Sequence, residues 1–393
     1  METNGDASSN GSKAARIVSS DALQECGERL RSGGLVAFPT ETVYGLGCHA
    51  LDETAVSKVF AAKERPLTDP LIVHVTSSTD ALRLWEANTT TTTRATNSQQ
   101  KVLEALTERF WPGPLTLVAK AAPEVPSILM ANTGYVACRC PSHPLARQLI
   151  DAARVPIAAP SANKFGHVSP TRAQHVLDDL QHEDVWIMDA PDVCNVGVES
   201  TVAKLTFIND NDKPKVTVLR QGAVSVHDME DCLEKAGLGG GLVLVERKTQ
   251  NTTPDHEATV APGQTVRHYS PNIPSFVLSQ DRVGRSANTN DHDRAVLRHS
   301  VVIDFGGRLS SWKGLAAAYR DLSDAGNSSQ AAQAVFETLR WAEQVEGARQ
   351  IVFPDLTKHD DNNKDDALLL AVKDRLTRAA SGVVIDELTH AEQ

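Results

Sequence analysis

Two short stretches of this 393-residue chain concentrate groups that handle anions. In "AAKERPLTDPL", Lys63 and Arg65 stand two apart at the predicted end of a helix, just before Pro66, which forces an extended exit. A compact ammonium beside a forked guanidinium suits a phosphate, although two cations at a helix C-terminus also simply complement its dipole. In "APSANKFGHVSPT", Ser161 and Asn163 leave a predicted strand, and Ser169 precedes the proline that opens a helix. Caps and turns explain each of these residues singly, and together they form an anion cradle. "GVESTV" then sets Glu199, Ser200 and Thr201 at a strand start, and "LRQG" sets Arg220 at a strand end before Gly222.

Other polar residues sit within apolar runs. "FPTETVYGLG" ends a predicted strand with two threonines, a glutamate and a tyrosine before two glycines. His74 shares a strand face with Ile72, an arrangement usual for a satisfied histidine, and Thr116 in "GPLTLV" reads as β-branched packing. Arg139 in "CRCP" has an apolar setting that makes a guanidinium costly unless an acid pairs with it. The six cysteines show no CxxC spacing, which fits neither a zinc site nor a disulfide framework and points to a reducing compartment. No P-loop, GxSxG, HExxH or Rossmann fingerprint competes with these groups.

The elements that must position them alternate. A helix is predicted within "IVSSDALQECGERLRSGG", capped by Ser20 and ended at Gly33; the strand "LVAF" follows, then a helix from Asp52 to the stop at Pro66, then the strand "LIVHV". "NTTTTTRATNSQQ" reads as a surface insert between two helices. Strands at "LTLVAK", "YVACRC", "VPIAAP", "VWIMDA", "STVAKLTF" and "KVTVLRQG" imply a wide mixed sheet in an α/β unit. After a Gly- and Pro-bearing connection, strands "FVLS", "SVVIDFG" and "RQIVFPDL" imply a smaller βα unit, with helices at "LSSWKGLAAAYRDLSDA", "SSQAAQAVFETLRWAEQ" and "DALLLAVKDRLTRAAS". The expected division is a disordered tail at 1–13, a first domain at 14–238, a linker at 239–270 and a second domain at 271–393.

A net charge of −11 argues against an unaided grip on nucleic acid and leaves room only for a local basic groove and a weak tRNA contact. No run of about 18 apolar residues is long enough to span a bilayer. The start "METNGDASSNGSKAAR" has no apolar signal region, so a soluble, cytoplasmic protein without membrane partners is expected.

Taken in order and spacing, "PTETVYGLG", "KERPLTDPLIVHV", "GPLTLV", "RCP", "PSAN", "SPT", "GVESTV", "LRQG" and "HYSP" resemble the YrdC-type threonylcarbamoyl-AMP synthases in their long, two-domain form, with "KDRLTRAASG" the clearest match near the end. The resemblance implies an α/β fold: a YrdC-like domain with a wide, mostly mixed twisted sheet and surrounding helices, plus a smaller C-terminal Rossmann-like domain. It implies a nucleotidyltransferase that condenses L-threonine, bicarbonate and ATP into L-threonylcarbamoyladenylate and pyrophosphate. The product then passes to a tRNA threonylcarbamoyl transferase complex that modifies the adenosine next to the anticodon. ATP is a substrate, and Mg2+ is expected on its phosphates.

By the same resemblance Lys63, Arg65, Ser161 and Asn163 form the catalytic, phosphate-handling core. Arg65, Asp69, Thr116, Ala159, Ser161, Ser169, Arg220 and Tyr269 contact ATP, and Tyr269 folds from the linker over the nucleotide as a lid. Thr42, His74, Arg139 and Ser200 hold threonine, with Arg139 pairing the substrate's carboxylate. Asp69 stands where the family often has Asn, and its charge repels phosphate unless magnesium or Lys63 offsets it. Two rival readings are weaker. Charge and the lack of aromatic base platforms count against an RNA-binding factor. A hydrogenase-maturation carbamoyl transferase would carry zinc-finger cysteine pairs and an acylphosphatase-like segment, which are absent from the sequence.

Overall fold

The computed structural model describes residues 14–86, 94–190, 194–208, 213–239, 244–247, 258–262, 269–356 and 366–389. The expected tail and parts of the expected linker lie outside them. The first unit contains β1 (Arg16–Val18), β2 (Leu35–Phe38), β3 (Gly45–His49), β4 (Ile72–His74), β5 (Leu115–Lys120), β6 (Tyr135–Arg139), β7 (Ile157–Ala158), β8 (Val185–Met188), β9 (Thr201–Ile208), β10 (Lys213–Arg220) and β11 (Leu244–Arg247). They form one mixed sheet in the order β1-β8-β2-β3-β7-β4-β6-β5-β9-β10-β11. β2 is buried along its whole length, as an unbroken apolar run under helices on both faces must be, whereas β10 alternates because one face is more open. β11 pairs with β10 in parallel and extends the sheet into the segment expected as a connection.

The second unit contains β12 (Ser275–Leu278), β13 (Ser300–Asp304), β14 (Ala318–Asp321), β15 (Gln350–Pro354) and β16 (Val384–Ile385), all parallel in the order β14-β13-β15-β12-β16. The helices Ser328–Glu343 and Ala367–Ala379 form where expected. The helix expected at "LSSWKGLAAAYRDLSDA" does not. Its start is one short 3-10 turn, Ser310–Trp312, and "AYRD" is β14. Parallel pairing of Val301–Asp304 with Ala318–Asp321 outweighs the local helix preference of the alanines. At the other end of the chain Ser19, not Ser20, is the cap, accepting from the Asp21 N–H, and a 3-10 turn leads into the helix Leu23–Arg31. The helix Arg94–Phe110 begins inside the segment read as an insert, whose residues 87–93 lie outside the described ones.

The two units share an apolar core. Val43, Val168 and Val198 of the first join Val335, Phe336, Leu339 and Val372 of the second in one buried cluster that also contains Tyr269. Gly197 makes the approach possible: it sits at φ +75°, and a Cβ there would lie 2.3 Å from the Ala332 carbonyl oxygen of the second unit.

A polar clasp flanks this core. His167 Nδ1 lies 2.9 Å from Asp179, its Nε2 lies 3.0 Å from Glu343 of the second unit, and Arg340 reaches Asp179 at 3.0 Å. Burial alone would push the His167 pKa down, but hydrogen bonds to Asp179 and Glu343 outweigh it and hold the imidazole up at about 9. Burial likewise opposes ionisation of Asp179, and His167 with Arg340 pulls its carboxyl down to about 2. A histidine raised from an ordinary 6.5 stabilises the folded state fully below pH 6.5, and that contribution is lost as pH rises through about 9. The clasp should therefore contribute on the order of 3 kcal/mol at neutral pH. Unfolding free energy should fall by that amount between pH 7 and pH 10 in the native protein and stay flatter in His167→Gln, measured by denaturant titration at each pH; parallel curves would refute the clasp.

Candidate active site

A cavity opens where several strand ends converge. It is lined from the β2–β3 connection by Thr40 and Thr42, from β4 by His74, from the end of β6 by Arg139, from the segment after β7 by Ala159 and Ser161, from the start of β9 by Glu199 and Ser200, and from the end of β10 by Arg220. Arg65 completes one wall, and Pro262 and Tyr269 from the segment between the units close the cavity. All four residues expected to hold threonine line it. Of those expected at ATP, Arg65, Ala159, Ser161, Arg220 and Tyr269 line it, whereas Asp69, Thr116 and Ser169 stand behind the wall, as do Lys63 and Asn163.

Thr42 and Arg139 belong to one directed hydrogen-bond chain. Arg139 Nη1 donates to Thr42 Oγ1 at 2.9 Å, and the Thr42 and Thr40 hydroxyl oxygens are 2.8 Å apart. Thr40 donates to the Val43 carbonyl at 2.7 Å, and a carbonyl can only accept, so the Thr42 proton must point at Thr40. Arg139 also lies 2.7 Å from Glu41, a buried pair that lowers the Glu41 pKa although burial alone would raise it. The guanidinium thus has an acid of the protein itself, so the substrate's carboxylate is not required to be its sole partner. His74 Nδ1 faces the Ile72 carbonyl at 3.2 Å, and burial followed by the charge of Arg139 drives its pKa down to about 3. Its imidazole is neutral at any working pH.

The expected pair Lys63 and Arg65 divides its labour. Glu64 takes the left-handed conformation at φ 54°, which ends the helix Glu53–Lys63 and turns both cations inward while Glu64 stays outside. Lys63 Nζ donates to the carbonyls of Ser161 and Asn163. It therefore shapes the backbone of "PSAN" rather than facing the cavity, and burial lowers its pKa well below the ordinary lysine value. Asn163 continues the brace, its Nδ2 donating to the carbonyls of Lys164 and His167 at 2.7 and 2.9 Å. Arg65 donates to the Asp69 and Pro70 carbonyls and pairs with the Asp69 carboxylate at 3.0 Å. The direct partner of the Asp69 carboxylate is Arg65, a residue not among the expected compensators, magnesium or Lys63; the buried Lys63 adds only a longer-range attraction.

Ser200 Oγ accepts from Arg220 Nη2 at 3.1 Å and lies 2.7 Å from Thr116 Oγ1, so Thr116 buttresses Ser200 from behind. Ser169 Oγ donates to Glu199 at 2.6 Å and does not itself reach the cavity. Tyr269 is fully buried at φ 61°, its ring centroid 5.3 Å from that of Phe336, and burial pushes its phenol up to about 12. Glycines in "YGLG" serve packing: a Cβ on Gly47 would meet Phe38 at 2.8 Å.

Sequence reasoning passed over Thr40 and Pro262, left Glu41 undecided and gave Glu199 no role at the site. Among the described residues no group of three or more His, Cys, Asp or Glu is arranged to hold a metal.

Comparison with known proteins gives a consistent picture. The Sua5–YciO–YrdC family model, described as telomere recombination, matches residues 28–222, and the model of the threonylcarbamoyl-AMP synthase C-terminal domain matches residues 224–381. A Pyrococcus abyssi threonylcarbamoyl-AMP synthase is 38% identical over 65% of this chain and 68% of its own length. Relatives of the same name from Schizosaccharomyces pombe and Bacillus subtilis are 39% and 38% identical, and the matched stretch spans 62% and 63% of their lengths. The crystal structure of P. abyssi Sua5 complexed with L-threonine superposes with a TM-score of 0.75 at 30% identity, covering 95% of this chain and 99% of that one.

The hydroxyl chain predicts a specific cost. Thr40→Val leaves the Thr42 hydroxyl and the Thr42 and Val43 N–H groups without their acceptor, so denaturant titration should show a loss of about 2 kcal/mol. Thr40→Ser should recover most of it; equal losses in both would refute the chain.

Proposed function

The chain belongs to the threonylcarbamoyl-AMP synthase family in its long, two-domain form, and we infer from this that it is a nucleotidyltransferase condensing L-threonine, bicarbonate and ATP into L-threonylcarbamoyladenylate and pyrophosphate. That reaction is the first step of threonylcarbamoyladenosine formation in tRNA. The observation that supports the reading is a single cavity lined by both Arg139 and Arg220, with hydroxyl groups between them.

The chemistry needs no covalent nucleophile from the protein. The neutral amine of threonine takes up bicarbonate, losing water, to give a carbamate. A carbamate oxygen then attacks the α-phosphorus as pyrophosphate leaves in line. What the protein must supply is positioning and fixed countercharge. Arg139 and Thr42 hold the amino acid at one end, with the neutral His74 and Ser200 facing its hydroxyl or amine. Arg65, Ser161 and Arg220 face the phosphates, and the main chain at Ala159 lies between the ligands. Lys63 and Asn163 act by fixing the loop that carries Ser161, and Thr116 and Ser169 by fixing Ser200 and Glu199. The carboxylates around the cavity are committed to arginines, so magnesium would be held by the phosphates of ATP and by water rather than by a cage of side chains. Tyr269 covers the nucleotide side and shields a mixed anhydride that water destroys.

The product is handed to a tRNA threonylcarbamoyl transferase. We place the reaction in the cytoplasm: the six cysteines are free and buried, as a reducing compartment permits, and among the described residues no helix is long and apolar enough to cross a membrane.

Purified protein given MgATP, L-threonine and bicarbonate should release pyrophosphate and a threonylcarbamoyl nucleotide. No product, or pyrophosphate release indifferent to threonine, would defeat the reading. Lys63→Ala should lower kcat by about 100-fold through displacement of Ser161, with the fold retained by circular dichroism. The KM for L-threonine should show no histidine titration between pH 6 and pH 8, because His74 is already neutral there.

A further inference from the structure

Glu199 is the carboxylate of the cavity wall whose countercharge comes from the other unit. Its Oε1 accepts from Ser169 at 2.6 Å, and its Oε2 accepts at 3.0 Å from Nε of Arg375 in the helix Ala367–Ala379. Arg375 is 0% exposed. Its Nη1 donates to the Gln221 carbonyl at 2.8 Å, directly after Arg220, and its guanidinium lies 5.4 Å from the Tyr269 ring centroid. Asp374 receives Nη1 of Arg375 at 3.1 Å and Nε of Arg378 at 3.0 Å, which orients the side chain from behind.

One guanidinium therefore holds the cavity's carboxylate, the backbone beside Arg220 and the face of Tyr269 at once. We propose that Arg375 is a positioning residue through which the C-terminal domain makes the cavity fit for a polyanion: it fixes Glu199 and cancels its charge beside the site for the triphosphate. This rests on the assignment of Arg220 and Tyr269 to ATP. Removing Arg375 leaves a buried carboxylate facing phosphates, so the defect belongs to ATP, not threonine, and should be relieved by removing the carboxylate as well.

Steady-state kinetics of the full-length enzyme test this in Arg375→Met, Arg375→Lys and the double variant Arg375→Met with Glu199→Gln. Arg375→Met should raise the KM for ATP on the order of 10-fold or more, with the KM for threonine within about 2-fold. Arg375→Lys should fall between it and the native enzyme. The double variant should recover most of the ATP affinity. Calorimetric binding of a non-hydrolysable ATP analogue to the same proteins reads the charge effect without turnover. A native enzyme that binds the analogue but makes no product would sink the activity reading alone. An unchanged ATP KM and analogue affinity in Arg375→Met, a double variant no better than the single one, or equal rises in both KM values with a lowered melting temperature would overturn the role of Arg375.

Discussion

The cavity depends on burying carboxylates only where a guanidinium neutralises them. Glu41 has Arg139, Asp69 has Arg65 and Glu199 has Arg375, at 2.7, 3.0 and 3.0 Å respectively. Each pair costs desolvation on both sides, offset in part by further hydrogen bonds from the guanidinium: to Thr42 and Gly113 from Arg139, to the Asp69 and Pro70 carbonyls from Arg65, to the Gln221 carbonyl from Arg375. The return on that cost is fixed orientation. Arginines that would otherwise sample many rotamers are held in fixed positions around one cavity.

Two of these pairs lie within the first unit, and the third crosses into the second. The second domain is thus joined to the site by a charge as well as by an apolar core, and the His167 clasp adds a third tie beside the loop that Lys63 and Asn163 brace. Tyr269 stands at the meeting point, buried in the shared core and lining the cavity. Its left-handed backbone costs on the order of 1 kcal/mol, which the packing on Phe336 and Arg375 offsets. The cavity lining and the contact between the two units therefore share one element.

Much of this was legible in the residues. The strands at "LVAF", "LIVHV" and "KVTVLRQG" follow from apolar runs bounded by turn residues, and the need of Arg139 for an acid follows from its apolar neighbours. The identity of that acid did not follow, because Glu41 lies in another strand connection and meets Arg139 only through the sheet. "LSSWKGLAAAYRDLSDA" misled because alanine-rich helix preference is local while its pairing with β13 is not. The place of Lys63 shortly before Pro66 marks it out, yet only the folded chain turns its ammonium onto carbonyls 98 and 100 residues away. Arg375 sits in a recognisable motif, but its partner Glu199 is 176 residues distant, beyond any spacing argument.

On the proposed reading one cavity seats the amino acid at Arg139 and the nucleotide at Arg220. A crystal structure of the protein with L-threonine and a non-hydrolysable ATP analogue tests it most directly. The threonine carboxylate should lie within hydrogen-bond reach of Arg139, the phosphates beside Arg65 and Arg220, and the amine turned toward the α-phosphate. Threonine seated at Arg220, or a nucleotide bound outside this cavity, would contradict it.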